Sequence, residues 1–218
     1  MARFFDFYRT SVGKKLVMAV TGLILAVFVL GHMLGNLQIY QGPEKLNHYA
    51  QLLRTSMPLL WSVRLFLFLA VVLHIVAAVQ VTLQDWRSRP RGYAILKYKE
   101  AGLASRTMIW GGLVIAAFVV YHLLHFTLGS AHPNFSPGDV YRNVVTGFQV
   151  PLVSGFYILA NVFLAIHLYH GMWSWSQTLG FSHPKYNRAR WVFATVYAVV
   201  IGVGNVSIPL AVLAGFVK

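Results

Sequence analysis

The chain has 218 residues, of which 57% are hydrophobic and only 11% are charged, and its mean hydropathy is +0.62. A typical soluble domain carries about 25% charged residues, so the composition predicts an integral membrane protein. The chain has no cysteine, which excludes disulfides, iron–sulfur clusters held by this chain and covalently attached c-type haem. The net charge of +13 comes from basic residues in short loops between apolar runs. It therefore indicates membrane topology, and no nucleic-acid partner is predicted.

Five apolar runs follow one another along the chain, and each has about 20 residues or more, enough to cross the hydrocarbon core as a helix. The first run is too long for a signal-peptide core, so it is predicted to be a retained span. Pro209 lies well inside the last run and predicts a kink there. The sequence thus predicts an all-α integral membrane protein with a single domain over residues 1–218. The five predicted spans are 14–37, 60–85, 107–129, 151–178 and 191–216.

The basic residues are distributed unequally between the two sides of the membrane. Five spans place the termini on opposite sides, and the N-terminal side then comprises segments 1–15, 86–106 and 179–190. These three segments hold thirteen of the 18 lysines and arginines. Because cytoplasmic loops are enriched in Lys and Arg, the N-terminus is predicted to be cytoplasmic.

Each of the first four spans contains a histidine: His32, His74, His122 and His167. An ionisable residue at membrane depth is costly and commonly functional, and histidine is a frequent axial ligand of haem iron. One such residue in each of four consecutive spans indicates that the chain holds metal cofactors within the bilayer.

Helical rise converts the position of each histidine into depth. At about 1.5 Å per residue, His32 and His122 lie about 24–27 Å from the N-terminal-side edge, whereas His74 and His167 lie about 16 Å from it. The four residues therefore form two levels about 10 Å apart. A b-type haem with two axial histidines needs two helices that face each other at one depth, and bundles commonly build cofactor sites in this way. The depths predict the pairs His32–His122 and His74–His167, with the first four spans forming a bundle around two b haems.

Other interpretations remain open at this stage. His125 and His170 each lie three residues from a candidate ligand, and depth alone excludes neither. Histidines in spans also form interhelical hydrogen bonds, as in a haem-free transporter or a structural membrane protein. A cation path usually recruits carboxylates, but no Asp or Glu lies well inside a predicted span. The five acidic residues are Asp6, Glu44, Asp85, Glu100 and Asp139.

Several motifs give the chain a resemblance to a known family along nearly its whole length. It resembles the single-chain, di-haem cytochrome b subunit that anchors succinate dehydrogenases and fumarate reductases to the membrane. The matching stretches are Phe7 to Lys15 (FYRTSVGKK), Thr21–Gly22, Gly31 to Gln38 (GHMLGNLQ), Leu73–His74, Tyr121–His122 and His167 to Trp175 (HLYHGMWSW).

The resemblance implies the same four ligands in the same two pairs. His170 falls where a relative has asparagine, and His125 matches no ligand position, so both are candidates for contacts with a haem propionate or a quinone. Arg64 and Arg106, near span ends, are further candidates for propionate partners. Glu44 and His48 are the nearest outer-loop candidates for a quinone site. The chain departs from menaquinone-linked relatives in Gln51 to Thr55 (QLLRT), which lacks the acidic residue that some of them carry.

The resemblance also implies partners and a location. Such a subunit binds an iron–sulfur protein and a flavoprotein with covalent FAD on the cytoplasmic side of a prokaryotic inner membrane. It passes electrons between the iron–sulfur protein and a quinone, here expected to be menaquinone. A dimer or trimer of the three-subunit unit is typical of the family. The cytochrome b subunit of a hydrogenase or formate dehydrogenase is the alternative among redox proteins, and the sequence does not give the physiological direction of electron flow.

Overall fold

The computed structural model describes residues 2–88 and 102–218, and for residues 2–5 only the backbone. This part of the chain is helical, without strands. Arg89, Arg91, Lys97 and Lys99, which belong to the second predicted cytoplasmic segment, lie outside the described residues. The α-helices are α1 (Ala2–Arg9), α2 (Ser11–Asn36), α3 (Pro43–Arg54), α4 (Met57–Arg87), α5 (Leu103–Arg106), α6 (Met108–His122), α7 (Val140–Phe148), α8 (Pro151–Thr178) and α9 (Asn187–Leu213).

Five of these helices are long and apolar enough to cross a membrane, which confirms the prediction of an all-α, multi-pass membrane protein. They are α2, α4, α6, α8 and α9. Short turns of other helix types adjoin three of them: a 3-10 helix after α2 (Leu37–Gln41), a π-helical turn after α6 (Leu123–Thr127) and a 3-10 helix before α9 (Pro184–Tyr186).

The predicted ends of the spans differ from the ends of the α-helices by up to seven residues. The largest difference is in the third span, predicted to end at residue 129, where α6 ends at His122 and the π-helical turn after it at Thr127. Helix α4 begins at Met57 instead of residue 60, and α9 runs from Asn187 to Leu213 instead of 191 to 216. The prediction followed the apolar run, whereas a helix continues into the polar interface wherever its backbone hydrogen bonds can form. Helix α9 stops early because Gly215, at φ +76°, closes it with a Schellman motif. In that motif the Phe216 N–H donates to the Ala211 carbonyl at 2.9 Å.

The spanning helices are arranged around α2 and α8. Helix α2 packs along α4 and also contacts α8 and α9, while α8 packs on α6 and, most extensively, on α9. Small residues allow the close approach of α8 and α9. Ala160 and Ala194 are fully buried, and a Cβ atom added to Gly202 would lie 3.0 Å from the Cβ of Ala165. Such small-residue contacts are the usual way for helices to pack in membranes.

On the outer side, away from the N-terminus, Asn47 connects helices α3 and α7. Its side-chain N–H donates to Asp139 Oδ1 at 2.9 Å, and its Oδ1 accepts from the Tyr141 backbone N–H at 3.0 Å. Asp139 also caps α7 by accepting from the Arg142 N–H at 3.0 Å. The hydrogen bond from Asn47, followed by that from Arg142, lowers the pKa of Asp139. These hydrogen bonds hold α3 against the start of α7 on the outer side of the protein.

The Asp139→Ala variant should be less stable at neutral pH by about 1 kcal/mol, the usual contribution of an N-cap side chain. Because the pKa of Asp139 is lowered in the folded protein, its charge-dependent contribution is present above the ordinary carboxyl pKa of about 3.9. That contribution is lost as the pH falls through the folded value. Thermal unfolding in detergent at neutral and acidic pH measures both effects.

The control for this prediction is Asp139→Asn, which keeps an acceptor at the cap and does not titrate. It should destabilise the protein less than alanine, and its difference from alanine should not change with pH. Equal destabilisation by both variants would show that the cap does not stabilise α7.

Candidate functional site

The structure brings the four span histidines together as two facing pairs. The ring centres of His32 on α2 and His122 on α6 are 5.7 Å apart, and their planes are nearly perpendicular at 89°. Those of His74 on α4 and His167 on α8 are 6.3 Å apart, with an interplanar angle of 65°. His32 is exposed and the other three are half-buried. Each pair thus joins two different spanning helices, as the depths predicted.

Helix α2 orients the imidazole of His74. Its Nδ1 lies 3.1 Å from the Met18 carbonyl oxygen and 3.3 Å from Thr21 Oγ1, whose own hydroxyl donates to the Val17 carbonyl at 2.7 Å. Because a carbonyl can only accept, the hydrogen bond to Met18 requires a proton on Nδ1. The neutral ring then carries its lone pair on Nε2. This is the arrangement by which a backbone carbonyl commonly sets the tautomer of a metal-binding histidine.

Glycines lie beside both histidines of the His74–His167 pair. A Cβ atom on Gly22 would lie only 3.0 Å from His74 Cε1, so glycine leaves the room in which this ring sits. A Cβ atom on Gly112 would lie 3.9 Å from His167 Cε1, an ordinary contact. The Nδ1 atom of His167 is buried and has no hydrogen-bond partner among the described residues.

The surroundings of the His32–His122 pair are more aromatic. His32 stacks on Phe28 with ring centres 5.4 Å apart and makes no hydrogen bond with a described residue. The Nδ1 atom of His122 lies 3.4 Å from the hydroxyl oxygen of Tyr157 on α8. Tyr157 is only 4% exposed, and Phe118 packs against it edge-on at 5.0 Å. Tyr157 therefore orients the His122 ring through its Nδ1 atom.

His125, which lies in the π-helical turn after α6, belongs to a separate buried cluster. Its side chain is completely buried, its Nδ1 is 3.1 Å from Tyr157 Oη, and its ring stacks on His132 at 4.8 Å. His132 donates from Nε2 to the Asn143 carbonyl at 2.9 Å. A π-turn is rare and often lies at a functional site. Here it carries His125 away from His32 and towards α7, where Gly147 would not admit a side chain without displacing the ring.

Sequence reasoning missed Tyr157, Thr21 and His132 as members of these clusters. Tyr157 carried a usable signal, because it is a polar residue in the outer half of the fourth span, about 15 Å along the helix from His167. The Met18 carbonyl gave no such signal, since any residue supplies the same backbone group. The partner of His74 could therefore be found only from the packing of α2 against α4.

The remaining predicted site residues lie apart from the histidine pairs. Glu44 and His48 are exposed on α3 and form no hydrogen bond or ion pair with a described residue. His170 is half-buried, one turn beyond His167 towards the N-terminal side. Arg64 is exposed on α4, over the Trp61 ring at 5.2 Å and about 15 Å along the helix from His74. Arg106 is exposed at the end of α5.

Both histidine pairs have the spacing of ligands to a single metal ion. Since a metal–imidazole bond is about 2.0–2.1 Å long in zinc sites, two imidazoles on opposite sides of one ion have ring centres about 6 Å apart. Among residues 2–88 and 102–218 no group of three or more His, Asp or Glu side chains could hold a metal ion. Each pair comprises two imidazoles, the donor set that a haem iron with two axial histidines would need.

Comparison with known proteins adds no relative to this description. The chain matches no protein-family model, no curated protein and no solved structure. The resemblance to di-haem cytochrome b subunits rests on the sequence motifs and remains a prediction.

Tyr157→Phe should lower the free energy of unfolding by about 1 kcal/mol, because it removes the partner of the buried His125 Nδ1. Thermal unfolding of the purified protein in detergent measures this loss. Tyr121→Phe is the matched control, since Tyr121 stacks on the same His125 ring at 5.4 Å but its hydroxyl bonds no described residue. An equal effect of the two substitutions would contradict a role for the Tyr157 hydroxyl.

Proposed function

We propose that this chain is the membrane-anchor, cytochrome b subunit of a succinate:quinone oxidoreductase in a prokaryotic inner membrane. In this proposal it holds two b haems, one between His32 and His122 and one between His74 and His167. It passes electrons between an iron–sulfur subunit on the cytoplasmic side and a quinone, which we expect to be menaquinone. The flavin and the iron–sulfur clusters belong to the partner subunits, and succinate is oxidised, or fumarate reduced, on the flavoprotein.

The proposal is carried by one observation: in each of two pairs, histidines from two different spanning helices face each other. One pair alone would fit an interhelical hydrogen bond, but in neither pair do the two rings hydrogen-bond to each other. Instead, the Nδ1 atoms of His74 and His122 are directed to oxygen atoms outside their pair, the Met18 carbonyl and the Tyr157 hydroxyl. The Nε2 atoms of His74 and His122 have no hydrogen-bond partner among the described residues, so a ligand could reach them.

The protein's own contribution would be to hold the imidazoles and to keep out competing ligands. A b haem bound in this way supplies one-electron redox chemistry, with both axial positions filled by protein. Thr21 and the Met18 carbonyl fix the tautomer of His74 before any cofactor enters. The aromatic rings of Phe28 and Phe118 pack beside His32 and His122 respectively. The apolar shell around a metal site helps to control solvent access and thereby the redox potential of the metal.

The quinone site is proposed for one of the two membrane surfaces. Glu44 and His48 lie one helical turn apart on the exposed face of α3, so they could together bind a quinone oxygen at the outer surface. His170 is the half-buried candidate nearer the N-terminal side. His125 is less suited to this role, because it is fully buried and Tyr157 already bonds its Nδ1.

The experiment that tests the proposal is a reduced-minus-oxidised spectrum of the purified, haem-replete protein with haem quantified per chain. We expect b-type bands and one haem for each histidine pair. His74→Ala and His167→Ala should each remove the same haem, while His32→Ala and His122→Ala should each remove the other. Co-purification of a flavoprotein with succinate activity would support the assignment of the complex, whereas a nickel or molybdenum partner would contradict it.

Histidines outside the two pairs supply matched controls. His170→Ala changes a histidine one turn from His167, and His48→Ala changes one on the outer surface, and both should keep the full haem complement. Absence of b-type bands from the wild-type protein would refute haem binding, as would full retention of haem by the His74 and His167 variants.

Gly22→Ala should weaken binding of the haem assigned to His74 and His167. The new Cβ would lie 3.0 Å from His74 Cε1, so the ring must turn away and strain its hydrogen bond to Met18. Changes to such supporting contacts commonly cost 10–100-fold in metal affinity. Gly112→Ala is the control, because its Cβ would lie 3.9 Å from His167 Cε1. Titration of the two variant apoproteins with haem measures their affinities, and equal haem affinities would contradict the role of Gly22.

A further inference from the structure

Three basic residues that differ in their surroundings lie around the start of α9: Lys185 in the 3-10 helix before it, and Arg188 and Arg190 in its first turn. Arg190 is turned inward: its guanidinium donates to Ser176 Oγ at 2.8 Å and to the Trp173 carbonyl at 3.0 Å, and it lies 4.5 Å above the Trp173 ring. Lys185 and Arg188 are exposed, and the side chain of neither forms a hydrogen bond or ion pair with a described residue. Two of the three positive charges are therefore left at the surface.

These two residues lie at one end of a shallow, open groove along an exposed face of α9. The groove is lined by Lys185, Arg188, Ala189, Val192, Phe193 and Val196. Val192, Phe193 and Val196 follow Ala189 by three, four and seven residues, so these four positions lie on a single face of α9, and Lys185 lies in the 3-10 helix just before it. The opposite face is the packed one, since Ala194 and Ile201 are completely buried.

The groove is basic at one end and apolar at the other. From Arg188 to Val196 it extends about 12 Å along the helix axis, within the segment Pro184–Leu213 that is apolar enough to cross a membrane. Val192, Phe193 and Val196 are between 44% and 54% exposed. Trp191, which is also exposed, lies at the level of the two basic residues, where tryptophan usually marks the headgroup region.

We infer that this groove is a binding site for an anionic phospholipid, whose phosphate contacts Lys185 and Arg188 and whose acyl chain lies along Val192, Phe193 and Val196. Charge complementarity favours an anionic headgroup, and basic pockets at the cytoplasmic ends of spanning helices bind such lipids. The apolar half favours a lipid over a soluble partner subunit, because a water-soluble protein does not reach along the part of α9 that crosses the bilayer. The inference does not depend on haem binding.

Native mass spectrometry of the full chain in detergent, titrated with dioleoylphosphatidylglycerol, tests the inference. Dioleoylphosphatidylcholine is the zwitterionic comparison probe. The double variant Lys185→Gln, Arg188→Gln should lose roughly thirtyfold in affinity for the anionic lipid, since each cation near an anionic surface contributes about fivefold. Its affinity for phosphatidylcholine should stay unchanged.

Two further variants separate a site from diffuse charge. The double variant Lys45→Gln, Arg54→Gln removes the same charge from exposed positions on α3 and should bind the anionic lipid as the wild type does. Val196→Trp fills the apolar half without changing charge and should also weaken lipid binding. Because all these positions are exposed, the variants should keep the wild-type unfolding temperature, which the same preparations measure.

Several outcomes would overturn the inference. Equal losses in the Lys185/Arg188 and Lys45/Arg54 variants would indicate diffuse charge, and full binding by Val196→Trp would indicate that the groove takes no acyl chain. Equal affinity of the wild type for both lipids would remove the role of the cations. Loss of a co-purified soluble subunit from the Lys185/Arg188 variant, with lipid affinity intact, would assign the two cations to protein docking instead.

Discussion

Placing polar imidazoles inside an apolar helix bundle is the constraint on which this architecture depends. For two of the four histidines, contacts between helices orient the ring. The backbone and Thr21 of α2 orient His74 on α4, and Tyr157 on α8 orients His122 on α6. For these two residues, the helix that carries the histidine is different from the helix that directs its ring. Packing and the geometry of the candidate site are therefore inseparable.

Much of the fold could be predicted because the membrane imposes simple rules. A hydrocarbon core fixes the length of an apolar helix, and a constant rise per residue fixes the depth of each side chain. These two rules were sufficient to predict the five spans and to group His32 with His122 and His74 with His167 by depth. The ends of α4 and α9 were placed less well, because hydropathy marks the edge of the apolar run and not the last backbone hydrogen bond.

The parts of the site that escaped prediction involve groups without a sequence signature. Residues His122 and His125 are three apart and both lie beside Tyr157. A π-turn begins at Leu123, and His125 stacks on His132 whereas His122 faces His32. The Leu128 N–H donates to the Leu123 carbonyl at 2.8 Å, five residues back, and nothing in the residue types announces that register. The role of the Met18 carbonyl also cannot be read from the sequence, because every residue has a backbone carbonyl. These contacts could therefore be found only from the backbone geometry of the structure.

The attachment of α4 has a consequence for how the molecule opens. Helix α4 packs extensively on α2 and has a smaller contact with α3. A hydrogen bond from the Tyr8 hydroxyl to Gln80 Oε1 at 2.9 Å also joins it to α1, and the His74 ring approaches His167 on α8. In native-state hydrogen exchange, segments with few packed neighbours open at lower free energy than the rest of the protein. Helix α4 would then be the first cooperative unit to detach. A ligand that bridges the His74 and His167 rings would hold α4 against α8 and slow amide hydrogen exchange along the whole of α4.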